Sequence, residues 1–269
     1  MIVALLVATS VSTAPPPPAV NTSELLIGAS HAIRADRLDQ ASLMISRAMA
    51  AGASGAPVER VLANLDYARG KLTEALARYD VLLKSAPTDQ ALLEPAAIAA
   101  LKLGQIDRAA SLLDRATAGK RPSWRVWNAC GVVADQNADW VKADACYEKA
   151  AELAPDQPGV ANNRGWSRLM RGDWTGARGF FEQAVALDPK SQRAANNLEL
   201  ARTAIAAELP RREPRETDSS WAARLNDAGV AAAILGNKER AAAAFTQALN
   251  VSGTWYERAA NNLETLSRQ

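Results

Sequence analysis

The sequence predicts an all-α fold, an α-solenoid of stacked helix-turn-helix hairpins. Three observations predict it. The chain repeats every 34 residues, its smallest and largest side chains recur at fixed places in each repeat, and glycine and proline recur where a helix must end. A fixed period of roughly 20 to 50 residues marks supersecondary units that bury their apolar faces on one another. Composition agrees: of 269 residues 48% are hydrophobic, mostly Ala and Leu, and only 5% are aromatic, which favours helices packed closely through small side chains.

Five contiguous units begin at Thr22, Ala56, Gln90, Trp124 and Pro158. Their eighth residue is always small: Ala29, Ala63, Ala97, Gly131 and Gly165. The twentieth is always alanine: Ala41, Ala75, Ala109, Ala143 and Ala177. The twenty-fourth is large, with Ile45, Tyr79, Leu113, Tyr147 and Phe181. Two antiparallel helices approach closely only where small side chains meet at their crossing, and a bulky one then fills the adjacent hollow. Gly70, Gly104 and Gly172 supply the positive φ that ends the first helix of a unit, and Pro87, Pro155 and Pro189 stop the second. Pro95, inside the third unit, predicts a delayed or kinked first helix.

A sixth unit, Ala222 to Trp255, repeats the pattern with Gly229, Gly236, Ala241, Phe245 and Ala248, out of phase with the first five. Before it come a helix from Gln192 to about Glu208 and a linker, Leu209 to Ser220, whose Pro210 and Pro214 forbid a continuing helix. The mixed charges Arg211-Arg212-Glu213-Pro214-Arg215-Glu216 read as a solvated linker rather than a docking motif. Arg193-Ala194-Ala195-Asn196-Asn197-Leu198-Glu199 returns as Arg258-Ala259-Ala260-Asn261-Asn262-Leu263-Glu264. Both helices then read as caps over a bare apolar face, or the earlier one as the first helix of a degenerate repeat, with the sixth unit docked on it. The expected division is 1–21, 22–208, 209–220 and 221–269.

At the N-terminus, the apolar run Ile2 to Ala8, the small residues Ser12-Thr13-Ala14 and the prolines Pro15 to Pro18 resemble an export signal. This predicts a periplasmic or secreted protein. No Lys or Arg stands between Met1 and the apolar run, so a misplaced start codon and a cytoplasmic protein is the alternative. The run is too short to span a bilayer, which takes about 20 apolar residues.

The best-preserved stretches are Gly131, Asp139-Trp140, Ala143, Tyr147, Ala150 and Pro155, then Gly165, Gly172-Asp173-Trp174, Ala177, Phe181, Ala184 and Pro189. This pattern, over about 235 residues, resembles the tetratricopeptide-repeat (TPR) family. The resemblance implies a right-handed superhelix and a protein-interaction scaffold whose groove, lined by the first helix of each unit, takes a peptide or helix of another protein. The second, fifth, sixth, ninth and twelfth residues of that helix would face the groove. In the third unit this row holds Ala91, Glu94 and Pro95. From the fourth unit on it turns polar: Arg125, Asn128 and Asp135; Asn162, Asn163 and Trp166; Arg193, Asn196 and Asn197; Asn226 and Asp227.

An asparagine amide both donates and accepts, so a row of them suits the backbone of an extended chain; alternatively, they bond neighbouring helices and hold the superhelical pitch. Trp166 stands where other units carry Ser30, Asn64, Ile98, Val132 and Val230, and reads as an aromatic anchor turned toward the groove. Trp127, Trp140 and Trp174 read as packing between repeats. The lysines that would grip a terminal carboxylate are missing. The Ala-rich units and Asn-Asn-Leu helices look like those of Flp/Tad pilus assembly proteins, which implies an assembly factor as one alternative; a self-association module is another.

A net charge of +2, without a basic cluster on one face, excludes a nucleic-acid footprint. The single histidine, His31, has no metal-ligand or catalytic spacing around it and reads as a surface residue. No zinc spacing, phosphate loop or nucleophile motif is present, so neither metal, cofactor nor enzymatic activity is expected. Cys130 and Cys146, the seventh and twenty-third residues of one unit, face each other across an antiparallel hairpin. They are placed for a disulfide, or are two small buried thiols.

Overall fold

The computed structural model describes residues 21–234, 236–252 and 256–268. The export-signal reading falls on residues outside these. Among the described residues there are fourteen α-helices and no strand. The chain divides into two compact units, one ending at Ser85 and one beginning at Ala86.

The first unit holds two hairpins, α1 (Thr22–Arg34) with α2 (Leu38–Ala50) and α3 (Ala56–Ala68) with α4 (Leu72–Ser85). The second holds α5 (Gln90–Lys102) with α6 (Ile106–Thr117), α7 (Trp124–Gln136) with α8 (Trp140–Leu153), and α9 (Pro158–Met170) with α10 (Trp174–Leu187). It continues through α11 (Gln192–Ala206), the hairpin α12 (Asp218–Ile234) with α13 (Lys238–Val251), and α14 (Glu257–Ser267). The first helices of the five repeats thus begin at the five residues where the sequence period begins. Pro95 does not delay α5, which starts at Gln90 under an Asp89 side-chain cap and runs through Pro95 to Lys102.

One turn recurs through both units. Asp36, Gly70, Gly104, Ala138 and Gly172 all have φ between 53° and 75°, at the same place in successive repeats. The next residue's N–H reaches back to the helix it has left: Arg37 to the Ala32 carbonyl at 2.8 Å, Lys71 to Asp66 at 2.8 Å, Gln105 to Ala100 at 2.9 Å, Asp139 to Ala134 at 2.9 Å and Asp173 to Arg168 at 3.0 Å. This satisfies a carbonyl orphaned at a helix C-terminus. Three of these turns were legible as glycines. Asp36 and Ala138 show that the backbone bond, rather than the residue, defines the turn.

The small-large alternation is a steric fit. A Cβ on Gly131 would lie 2.5 Å from the Tyr147 ring, one on Gly165 2.6 Å from Phe181, and one on Gly229 2.5 Å from Phe245. All three rings are buried.

The segment between α11 and α12 differs from the solvated linker expected from its charges. Leu209 is buried, and its carbonyl accepts the Trp174 indole N–H at 3.3 Å. Trp221, fully buried, stacks on Trp174 with ring centroids 5.8 Å apart. The Arg212 guanidinium lies 5.6 Å from the Trp140 ring and 5.5 Å from the Trp221 ring, and pairs with Asp218 at 2.6 Å. Only 10% of its side chain is exposed. Backbone packs here too: a Cβ on Gly172 would meet the Arg212 nitrogen at 2.9 Å. The charges are absorbed locally, since Arg224 binds Glu216 at 2.8 Å and Glu213 at 3.3 Å. The segment is a strap held across the turn of the fifth repeat, and α12 starts at Asp218, before the predicted Ala222. One core cluster runs from Leu169 and Phe181 through Leu198 to Trp221, Leu225, Phe245 and Val251, with α13 packed against α11.

Candidate protein-binding site

In the second unit the first helices of successive hairpins pack side by side, α5 on α7, α7 on α9 and α9 on α11. Asn128, Asn162, Asn163 and Asn197 of the predicted row sit on these seams, and Asn226 sits where α12 meets α14. Asn163 donates to the Asn128 carbonyl oxygen at 3.1 Å, Asn197 to Asn162 at 2.9 Å, and Asn262 to Asn226 at 2.9 Å. One period plus one or two residues separates the partners, so each bond ties a helix to the next first helix along. Asn162 and Asn226 are buried, whereas Asn128, Asn163 and Asn197 are half-buried. An inter-helix bond takes one donor or one acceptor from each amide, which has two of each.

Asp135 anchors a polar cluster at the end of α7. It accepts the Tyr147 hydroxyl at 2.8 Å and the Ser167 hydroxyl at 2.6 Å. Arg171 donates to the Ser167 oxygen at 2.7 Å and makes a two-pronged contact to Asp144 at 2.6 and 2.8 Å. Burial pushes the Asp135 carboxyl above the usual carboxylate range, against the two hydroxyls and Arg171, which pull it down. Arg171 holds Asp144 below that range. Tyr147 is pushed well above the ordinary phenol value by burial and by the Asp135 charge.

Asp135 and Asn163 open onto a cavity of about 360 Å³ that Trp166 also lines, with Val132, Tyr147 and Met170. Its far side comes from the sixth hairpin, through Asp218, Asn250 and Val251. Trp166 is therefore not a ring standing free in a groove. It is half-buried, with part of its surface packed on the core cluster that seats the sixth hairpin and part on the cavity.

The remaining row residues lie outside this cavity. Arg125 is exposed, its guanidinium 4.6 Å from the Trp124 ring. Arg193 is exposed, and Asn196 accepts from Gln192 at 2.7 Å.

A family model described as tetratricopeptide repeat matches residues 60–123, 94–158 and 131–192. The chain belongs to the tetratricopeptide-repeat family.

Solved structures agree on the TPR fold. A tetratricopeptide repeat protein from Parabacteroides merdae is 19% identical, with a TM-score of 0.54 over 91% of this chain and 98% of that one. The pilF protein of Pseudomonas aeruginosa is 15% identical, with a TM-score of 0.52 over 92% and 97%. PilW, a type IV pilus biogenesis factor, is 15% identical, with a TM-score of 0.54 over 91% and 98%. No curated protein matches the sequence.

Against the TPR pattern, Trp174 is buried as expected of a packing residue, and Trp127 and Trp140 are half-buried. The structure joins Cys130 to Cys146 across the α7–α8 hairpin, Cα atoms 5.8 Å apart. His31 is exposed. Among the described residues no group of His, Cys, Asp and Glu is arranged to hold a metal, and no helix is long and apolar enough to cross a membrane. Sequence reasoning missed the strap and the cavity wall contributed by the sixth hairpin. The signal available was Trp221, an aromatic just past two prolines.

Proposed function

We propose that this TPR chain is a non-catalytic scaffold that binds a peptide or helix of an envelope protein along the first-helix row of α7, α9 and α11. The observation that carries the reading is the cavity beside Asn163 and Trp166. A half-buried indole and a carboxylate open there next to asparagines with donor and acceptor capacity beyond their inter-helix bonds. Arg125, Asn128, Asn162, Arg193, Asn196, Asn197 and Asn226 extend the row on either side. An export signal at the N-terminus would place the protein in the periplasm.

The test is affinity capture from the native envelope fraction with the wild type and with Trp166→Ala and Asn163→Ala combined, both of confirmed helicity. A protein retained by the wild type and lost by the variant supports the row as the site. Equal retention moves binding to the second-helix face or to α14.

A second reading is an assembly factor for a pilus or secretion apparatus. It draws on the likeness of the repeats to Flp/Tad assembly proteins and on two fold neighbours from pilus systems. Capture of a pilus subunit or secretin, lost in the same variant, would favour it.

A further inference from the structure

The cavity beside Trp166 has a chemical bias. Three aromatic side chains, Trp140, Tyr147 and Trp166, line it together with the Met170 thioether and two carboxylates, Asp135 and Asp218. None of the described residues lining it is basic. Asp135 has only hydroxyl donors bonded to it; the nearest guanidinium in its network, Arg171, reaches it through the Ser167 hydroxyl and spends its two-pronged contact on Asp144. Asp218 gives Oδ1 to Arg212 and is half-exposed. Aromatic rings attract cations through their quadrupole, as the Trp140 ring already does for Arg171 at 5.3 Å and Arg212 at 5.6 Å, and beside the half-buried Trp166 lies a carboxylate that burial makes unfavourable to ionise. An aliphatic stem ending in a positive charge satisfies both. An acidic or purely apolar side chain leaves Asp135 without an ion partner.

We infer that the cavity between α7, α9 and the sixth hairpin takes a lysine or arginine side chain of the partner's peptide, held by Asp135 and the Trp166 ring. This rests on the proposed scaffold function and specifies its partner as a segment with a basic residue. Its volume, about 360 Å³, is that of a pocket for one side chain or small ligand rather than a slot for a helix. It adjoins Asn163, so a peptide bound along the asparagine row brings a side chain to the mouth.

The test titrates blocked pentapeptides, acetyl-Ala-Ala-X-Ala-Ala-amide with X as Lys, Arg, norleucine or Glu, into the full chain. Butylammonium serves as the free-amine control, and the indole N–H signals of Trp140 and Trp166 are followed by NMR. The Lys and Arg peptides should shift both signals with at least about tenfold tighter binding than norleucine, Glu or butylammonium, and Asp135→Asn should remove about tenfold for Lys while leaving norleucine unchanged. Equal binding of norleucine would make the cavity merely apolar, and equal binding of butylammonium would make it a site for free amines. Silence of both indoles with every peptide would leave no site. Each of these overturns the inference. If the captured partner is lost in the Trp166 variant but the peptides show no cation preference, the inference fails and the scaffold reading stands. If the Lys peptide binds selectively but no partner is lost, the scaffold reading fails instead.

Discussion

The hairpins α3–α4 and α7–α8 are the same design used twice, two periods apart. In the first, Tyr79 and Ala63 are both buried, and Tyr79 donates its hydroxyl to the neutral Asn64 side chain at 2.8 Å. In the second, Tyr147 lies against Gly131, so close that no Cβ fits, and donates to the Asp135 carboxylate at 2.8 Å. The first hairpin has no cross-link, whereas the second is bridged by Cys130 and Cys146. Buried tyrosine hydroxyls need an acceptor, and either satisfies the fold. The second brings a charge to the wall of a cavity. Its helix tolerates a glycine, which costs about 1 kcal/mol of helix propensity relative to alanine. The same repeat can thus serve as a spacer or carry a site, and a few columns decide which.

This contrast can be broken in graded steps. Opening the disulfide, by reduction or as Cys130→Ser with Cys146→Ser, should cost about 3 kcal/mol by the chain-entropy model, since the bridge closes a loop with a sequence separation of 16. Hydrogen exchange should then accelerate in α7 and α8 and stay unchanged in α3 and α4. Gly131→Ala should cost about 2 kcal/mol, because Tyr147 cannot retreat from the added methyl, while the reverse change Ala63→Gly costs about 1 kcal/mol; urea midpoints would compare them. Next comes Tyr147→Phe at about 1.5 kcal/mol, which removes a bond to a charged acceptor, against about 1 kcal/mol for Tyr79→Phe, which removes one to a neutral amide. Equal losses would show that Asp135 is not ionised in the folded protein.

The smallest effect is in pH. Arg171 lowers the Asp144 carboxyl, so their pairing contributes stability above the usual carboxylate value of about 4 and loses it as pH falls through the lowered value. Asp135 is raised, so its ionisation opposes folding, and that cost appears as pH rises through its elevated value. The pair is a third exposed on the Asp144 side, which limits its contribution to under about 1 kcal/mol. Urea midpoints between pH 6 and 3 should fall less in Asp144→Asn than in the wild type.

The repeats were legible in the sequence because each hairpin is held by local contacts that recur in register. Gly131 under Tyr147, Gly165 under Phe181 and the turn glycines at 70, 104 and 172 report their neighbours directly. The seams were legible in outline. Asparagines at matching depths signalled either a ligand or an adjoining helix, and the structure supplies the helix bonds while leaving capacity in each amide. Taken one hairpin at a time, the row presents Trp166 as an anchor turned toward the groove. Its true setting depends on Val251 and Asp218, far along the chain and brought there by the strap. Arg212 escaped for the same reason: its charge suggested solvent, and nothing local announced the Trp140 and Trp221 rings on either side of it. Non-local packing across a break in the period is what a repeat alignment cannot convey.

The strap has a mechanical consequence. Load applied to the C-terminus would first peel α14, then draw on α13 and α12, but it meets the stacked Trp174 and Trp221 rings and the clasped Arg212 before it reaches α10. The last hairpin is thereby riveted rather than merely stacked, and a pull on the tail would register as one abrupt rupture at the strap instead of a helix-by-helix unzipping.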